Sequence, residues 1–223
     1  MKPIRDIFRS YAVFDAQGRH VNGTDKESNH AYGDAYESLF SKPAIDRSDT
    51  LHYIDPEYDP MTTKTRDTVE LMMEVGVADG SSLCAWRECF PNALCVGMDI
   101  HHSDRAHGER IEFYLGDQRS KEDCERAAAG RQFDLIVEDA THQLADTLVT
   151  LLYLWPFVKP GGLYVVEEFA DIGSLRKNVL ALFRVIRWTD EGDEVCDGAC
   201  VEIIDTTGPT GGSEPLVVLR KPL

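Results

Sequence analysis

A chain of 223 residues is long enough for one α/β domain with a sizeable core. Its 39 acidic and 23 basic residues leave a formal charge of -16, which repels a phosphate backbone at long range and argues against nucleic acid as a partner. The 6 cysteines form no CxxC pair, the first residues lack the apolar run of a signal peptide, and no stretch approaches the length of a membrane span. The expectation is a soluble, cytoplasmic protein with reduced thiols and no membrane contact; Cys196 and Cys200 lack the second ligand pair that a zinc site needs.

Residues 1–68 are polar and aromatic, with an amphipathic helix expected over Asn29 to Phe40 and a Pro/Asp/Tyr-rich link at residues 55–60. They hold too little apolar material for a core of their own. The expected organisation is therefore an N-terminal arm or cap over residues 1–68, folded across the carboxyl edge of a sheet built by residues 69–223. From Val69 onward apolar runs alternate with helical patterns. Strands are expected at Val69 to Val75, Leu94 to Asp99, Ile111 to Leu115, Phe133 to Glu138 and Gly162 to Val166, with helices at 81–89, 120–129, 143–158 and 173–186. Such alternation predicts an α/β fold, a Rossmann-like doubly wound and mostly parallel sheet. Two further strands, Cys200 to Ile204 and Leu216 to Leu219, are separated only by the turn-rich segment 205–212, which predicts an antiparallel hairpin at the sheet's edge.

The first strand runs into Glu74-Val75-Gly76-Val77-Ala78-Asp79-Gly80 and then a helix opening at Ser81. Glycines there permit a tight turn and close approach of a ligand to the helix N-terminus. Asp99 ends the second strand about twenty residues on, where a ribose-binding carboxylate sits in dinucleotide-type folds. Asp117 and Gln118, past the third strand, suit an adenine edge, which needs an acceptor and a donor. A plain strand-to-helix turn accounts for the glycines alone; acids at successive strand ends favour an adenosine-type cofactor.

The residues Gly23-Thr24-Asp25-Lys26 with His30 and Tyr32, the string 74–83, Trp86 with Phe90-Pro91-Asn92, Gly97-Met98-Asp99, Gly116-Asp117-Gln118, Glu138-Asp139-Ala140-Thr141-His142 and Lys159 through Glu168 together resemble the class I S-adenosylmethionine-dependent methyltransferases. More narrowly, the chain is similar to the metal-dependent macrolide-sugar O-methyltransferases of the mycinamicin and macrocin type. Relatives usually carry glycine at position 78, Asp-Asp-Gly-Ser-His at 138–142 and Glu-Asp at 167–168, so this chain changes those residues while keeping their charge. The resemblance implies S-adenosyl-L-methionine as cofactor, Mg2+ or Mn2+ as a second, and a small-molecule hydroxyl as methyl acceptor. It assigns Glu74, Gly76, Ala78, Gly80, Ser81, Asp99, Asp117 and Gln118 to the cofactor.

Asp139 ends the fourth strand and Glu167 and Glu168 end the fifth. Neighbouring strands lie about 5 Å apart, so the three acids are expected to converge. An acidic rim in solvent is one reading; the other, which the resemblance favours, is an all-oxygen site for a hard divalent cation. His142 is either a helix-flanking surface residue or the general base that works with Asp139, with Glu138 next in line. Lys26 either belongs to a capped surface helix or neutralises the cofactor's carboxylate, with Tyr32 and Tyr36 closing over a substrate. The loop His101, His102, Asp104 and His107 reads as solvated, and Trp86, Trp155 and Trp188 as core. Two other readings stay open, a nicotinamide-dependent oxidoreductase and a non-catalytic methyltransferase-like binding protein. An arm over the active site can also be traded between subunits, so a homo-oligomer is compatible with the sequence.

Overall fold

The computed structural model describes residues 1–41, 64–168, 173–175, 177–179, 200–204, 206 and 215–221. The link at 55–60, the turn at 207–212, Cys196, Trp188 and most of the helix expected at 173–186 lie outside the described residues.

The chain opens with α1 (Ile4–Tyr11), which buries Ile4, Ile7 and Phe8 at helical spacing. A short hairpin of β1 (Ala12–Phe14) and β2 (His20–Gly23) follows, then α2 (Tyr32–Ser41). The first helix and the hairpin went unread in the sequence because each is too short for a periodic signal. The second helix starts three residues later than expected, since Ala31 takes a left-handed φ of 57°. Next come β3 (Leu71–Val75), α3 (Ser81–Cys89), β4 (Leu94–Asp99), β5 (Ile111–Leu115), α4 (Lys121–Ala128), β6 (Phe133–Glu138), α5 (Leu144–Leu154), a 3-10 turn at Trp155–Phe157, β7 (Val158–Val166), β8 (Cys200–Ile204) and β9 (Leu216–Arg220). Residues 173–175 and 177–179 are helical.

The helix expected at 143–158 stops at Leu154, where Pro156 opens the 3-10 turn. The fifth strand starts earlier than expected because Gly161 and Gly162 lie inside it. A register shift between Phe133 and Leu135 on β6 accommodates that glycine kink.

The described strands pair in the order β5-β4-β3-β6-β7-β9-β8. The first five are parallel, β9 runs antiparallel to β7, and β8 pairs antiparallel with β9. The hairpin is thus as expected, except that its later strand lies inward and its earlier strand forms the edge. Alternation sends Met72, Cys95, Leu135, Leu163 and Val218 to one face, packed with α1, α2 and α3, and Met73, Val96, Ile136, Tyr164 and Val217 to the other, under α4 and α5. Residues of the first 41 therefore share a core with the sheet. The strand order reverses between β3 and β6, and the crevice for a ligand opens beyond their carboxyl ends.

Candidate active site

Gly76, Ala78 and Gly80 all have positive φ, at 86°, 43° and 87°. A Cβ on Gly76 would lie 2.2 Å from the Asp139 carbonyl oxygen, and one on Gly80 2.5 Å from the Ala106 backbone nitrogen. The glycines are required by the packing of neighbouring loops, a different reason from the ligand approach read in the sequence. The turn is closed by Asp99. Its Oδ2 accepts from the Val77 and Ala78 N–H groups, both at 3.0 Å, and its Oδ1 accepts from His101 N–H at 2.8 Å. Asp79, one residue before the Gly80 N-cap of α3, accepts from Ser81 N–H at 2.9 Å and from its hydroxyl at 3.0 Å.

A cavity of about 600 Å³ lies over this turn, within the range of small-molecule sites. Its wall is formed by the ends of β3, β4, β5 and β6, by Thr24 and Asp25, and by Glu168. Of the expected cofactor residues, Gly76, Ala78, Asp99, Asp117 and Gln118 line it; Glu74, Gly80, Ser81 and Lys26 stand outside its wall. Strand alternation explains Glu74, which turns under α3, where it accepts from Ser82 Oγ at 2.7 Å and from Trp86 Nε1 at 3.0 Å. Asp117 is engaged by Arg119 at 2.7 Å at the cavity mouth, and this guanidinium holds its carboxyl below the ordinary range. Gln118 is buried and donates to Glu138 at 3.2 Å. Burial raises Glu138 to about 7, against the hydrogen bonds from Thr147 and Gln118 that lower it.

At the other end of the cavity stand Asp139, His142 and Glu168. One donor atom from each lies within 4.8 Å of the others, and Asp25, His30 and Glu168 form a second such set. Among the described residues the loop at His101 to His107 contributes no such set. His142 is not a helix cap, since Gln143 holds that position; its φ of 55° turns the ring toward Glu168, with Nε2 at 3.3 Å from Oε2. Glu168 also accepts from His30 at 2.8 Å, and His30 lies 3.2 Å from Asp25. Burial on its own would lower the His30 pKa, but the two carboxylates lift it to about 9; Asp25, despite burial, is held at about 2. The sequence placed Asp25 and His30 in a motif without assigning them to this network, because their partner lies more than a hundred residues away.

Glu167 does not join these donor sets. Its carboxylate is fully buried, accepts from the Tyr36 hydroxyl and pairs with Lys26. Lys26 Nζ also lies 2.7 Å from Asp139 and 3.2 Å from Glu74. Of the three acids expected to converge, Asp139 and Glu168 face the cavity, while β7 alternation turns Glu167 toward α2, where the Lys26 ammonium lies between it and Asp139. Lys26, Tyr32 and Tyr36 are all buried, and none of them lines the cavity. Burial opposes the ammonium's charge, yet three carboxylates hold its pKa well above the usual lysine value. One ammonium cannot neutralise three acids, and burial raises the pKa of Glu74, Asp139 and Glu167 in spite of Lys26.

Residues 73–169 match the family described as methyltransferase domain. The chain is 32% identical over 128 residues to the demethylmacrocin O-methyltransferase of Streptomyces fradiae, covering 53% of this chain and 32% of that protein. It is likewise 32% identical over 126 residues to the mycinamicin VI 2''-O-methyltransferase of Micromonospora griseorubida, covering 53% of this chain and 32% of that protein. The chain thus spans about a third of the length of these relatives. Among solved structures, the MycE methyltransferase from the mycinamycin biosynthetic pathway, in complex with Mg and SAH, superposes with a TM-score of 0.66 at 18% identity, covering 99% of this chain and 54% of that one. That likeness establishes the class I methyltransferase fold.

Proposed function

We propose that this chain, whose residues 73–169 carry a methyltransferase domain, moves a methyl group from S-adenosylmethionine to a hydroxyl oxygen of a small molecule, a sugar unit of a natural product being the acceptor class. The observation that carries the reading is a single cavity with the glycine turn and Asp99 at one end and Asp139, His142 and Glu168 at the other. Cofactor and acceptor can therefore meet inside it.

The turn fits the cofactor. Asp99 lines the cavity, and three backbone N–H groups hold its carboxylate in a fixed position that suits hydrogen bonding to a ribose. The Asp139 and Glu168 carboxylates at this end of the cavity fit a divalent cation, with Glu167 beside them on Lys26 and His142 left to act as base. Such an ion would lower the pKa of a hydroxyl that it holds. The sulfonium needs no activation, so the protein's task is alignment and proton removal. The hydroxyl oxygen attacks the methyl carbon, the carbon–sulfur bond breaks, and the hydroxyl proton passes to His142 Nε2. Glu168, 3.3 Å from that nitrogen, stabilises the imidazolium so formed.

Residues 1–68 act as the arm that completes this site, a role supported by Thr24 and Asp25, which form part of the cavity wall. A cytoplasmic location is the reading that the free thiols of Cys84, Cys89, Cys95 and Cys124 support. Among the described residues no helix is long and apolar enough to cross a membrane.

The test is a mass-spectrometric screen of glycosylated macrolides and related sugars with S-adenosylmethionine, with and without chelator. A methylated product that disappears with chelator and returns with magnesium or manganese is expected. Cofactor binding without turnover on any acceptor would make the chain a binding protein, and consumption of a reduced nicotinamide would make it an oxidoreductase.

A further inference from the structure

Gln118 stands in the cavity wall yet is only 5% exposed, and its main chain is fastened from behind. Cys124 Sγ of α4 and Thr150 Oγ1 of α5 each donate to its carbonyl at 3.4 Å. Its side-chain amide is fastened as well, since Nε2 donates to Glu138 Oε1 at 3.2 Å. Glu138 is in turn fixed by the sheet. It is buried at the end of β6, its carbonyl accepts from Glu167 N–H at 3.0 Å, and its carboxyl also faces the Ala140 N–H. A carboxyl that draws N–H groups in this way repels an amide oxygen, so Gln118 turns its nitrogen inward.

The consequence lies at the other end of that amide. Among the described residues no group donates to Gln118 Oε1, and the atom is not sealed in the interior, so it opens on the cavity. Asp117, the neighbouring acceptor, has both oxygens on Arg119: Oδ1 accepts from its main-chain N–H and from Nε, each at 2.9 Å, and Oδ2 from Nη2 at 2.7 Å. Gln118 is thus left to offer a free acceptor here. An acceptor suits the 6-amino group of adenine, which donates, and opposes the 6-oxo group of hypoxanthine or guanine, which accepts.

We propose that Glu138 is a positioning residue that sets which purine the cavity accepts: from behind the wall it holds the Gln118 amide with its oxygen outward, so that a 6-aminopurine is admitted and a 6-oxopurine is turned away. The inference rests on the reading that this cavity binds S-adenosylmethionine. A buried glutamate that only stabilised the fold would weaken both purines alike when replaced. One that orients Gln118 must, when replaced, let the wrong purine bind more tightly, because the freed amide can then turn its nitrogen to the cavity.

The experiment uses the full chain and compares two nucleosides in the same protein, which makes it blind to a general loss of stability. Calorimetry measures binding of S-adenosylhomocysteine and of S-inosylhomocysteine, its 6-oxo analogue, to wild type and to Glu138→Gln. Wild type is expected to prefer the adenosyl compound by about 30-fold or more, the worth of a satisfied against an opposed buried acceptor. In Glu138→Gln, whose own amide can face Gln118 either way round, the preference should shrink to about threefold, with the inosyl compound bound about tenfold more tightly than by wild type. A folded Glu138→Gln with the wild-type preference overturns the proposal. If that variant does not fold, 15N-glutamine-labelled wild type decides: the Gln118 side-chain NH2 should be protected from hydrogen exchange with and without S-adenosylhomocysteine, and protection gained only on binding would show the nitrogen facing the ligand and overturn the proposal. Wild type that binds both nucleosides alike overturns this inference and leaves the cofactor reading standing. Wild type that binds neither overturns the cofactor reading, and this inference with it.

Discussion

His142 owes its position to one backbone bend. Its left-handed φ lifts it out of the path of α5 and turns its ring to Glu168. In the His142→Gln variant a polar group of similar reach remains but cannot carry a proton away, so turnover should fall about 10²–10⁴-fold while calorimetric binding of S-adenosylhomocysteine stays unchanged. Wild-type turnover under conditions where methyl transfer limits the rate would assign the proton to another group. Asp99 serves two ends, holding the turn through three N–H groups and facing the cavity. Asp99→Asn keeps one acceptor and loses the charge, and a binding loss of about 1.5–3 kcal/mol is expected by calorimetry, the worth of hydrogen bonds to a charged group. Affinity equal to wild type would remove Asp99 from the site. Asp99, Asp139, His142 and Glu168 were legible because strand ends can be counted along the chain. The pairing of Glu167 with Lys26 went unread because the two lie 141 residues apart, and no spacing rule reports what a side chain meets across a core.

At the scale of elements, the turn after β3 and the opposite end of the sheet make separate demands. Gly76 combines a φ of 86° with a clash at 2.2 Å, whereas Gly18 has a φ of 76° and nothing within 4 Å of its would-be Cβ. Gly18→Ala should therefore cost only the backbone term, about 1–2 kcal/mol. Gly76→Ala should cost clearly more and weaken cofactor binding, because the Asp139 loop must retreat; equal denaturation midpoints for the two variants would refute the packing argument. At the far end Asp134, 1% exposed, ties β6 to β3 by accepting from the Glu70 and Leu71 N–H groups at 2.9 and 3.0 Å. It also pairs with Lys64 and, at 3.0 Å, with Lys159. Burial alone would raise its pKa, but the lysines and the N–H group lower it. The folded pKa is depressed, so the stabilisation is present above the unfolded carboxyl value and is lost as pH falls through the folded one. Urea denaturation should show Asp134→Asn less stable than wild type by about 1.5–3 kcal/mol at neutral pH, with the gap narrowing below pH about 4. A gap independent of pH would mean that charge is not what Asp134 contributes.

At the scale of the molecule, a charge of -16 is spread over a fold whose acids also crowd its interior. Self-repulsion of the surface is screened by salt, while the buried cluster around Lys26 is largely beyond its reach. Added sodium chloride should therefore raise the thermal midpoint of the protein up to a few hundred millimolar and then plateau. A midpoint that falls with salt would show that exposed ion pairs such as Arg19 with Asp15 outweigh the net repulsion.

The sequence by itself determined the alternation of parallel strands with helices, the terminal hairpin, the glycine turn and the acids at strand ends. Those properties follow from periodicity, glycine placement and position along a strand, all local quantities. Only the tertiary structure decided which way each acid faces and what it meets. Alternation sends Glu74, within β3, and Glu167, past β7, toward the face covered by α2 and α3 and leaves Glu168 to the cavity, while Lys26, from a segment with no strong local signal, arrives between Asp139 and Glu167. The reason is that burial charges a heavy desolvation cost to every unpaired acid, so the fold must bring a cation to them from wherever in the chain one can reach. That pairing is a property of the packed interior and has no counterpart in the order of residues.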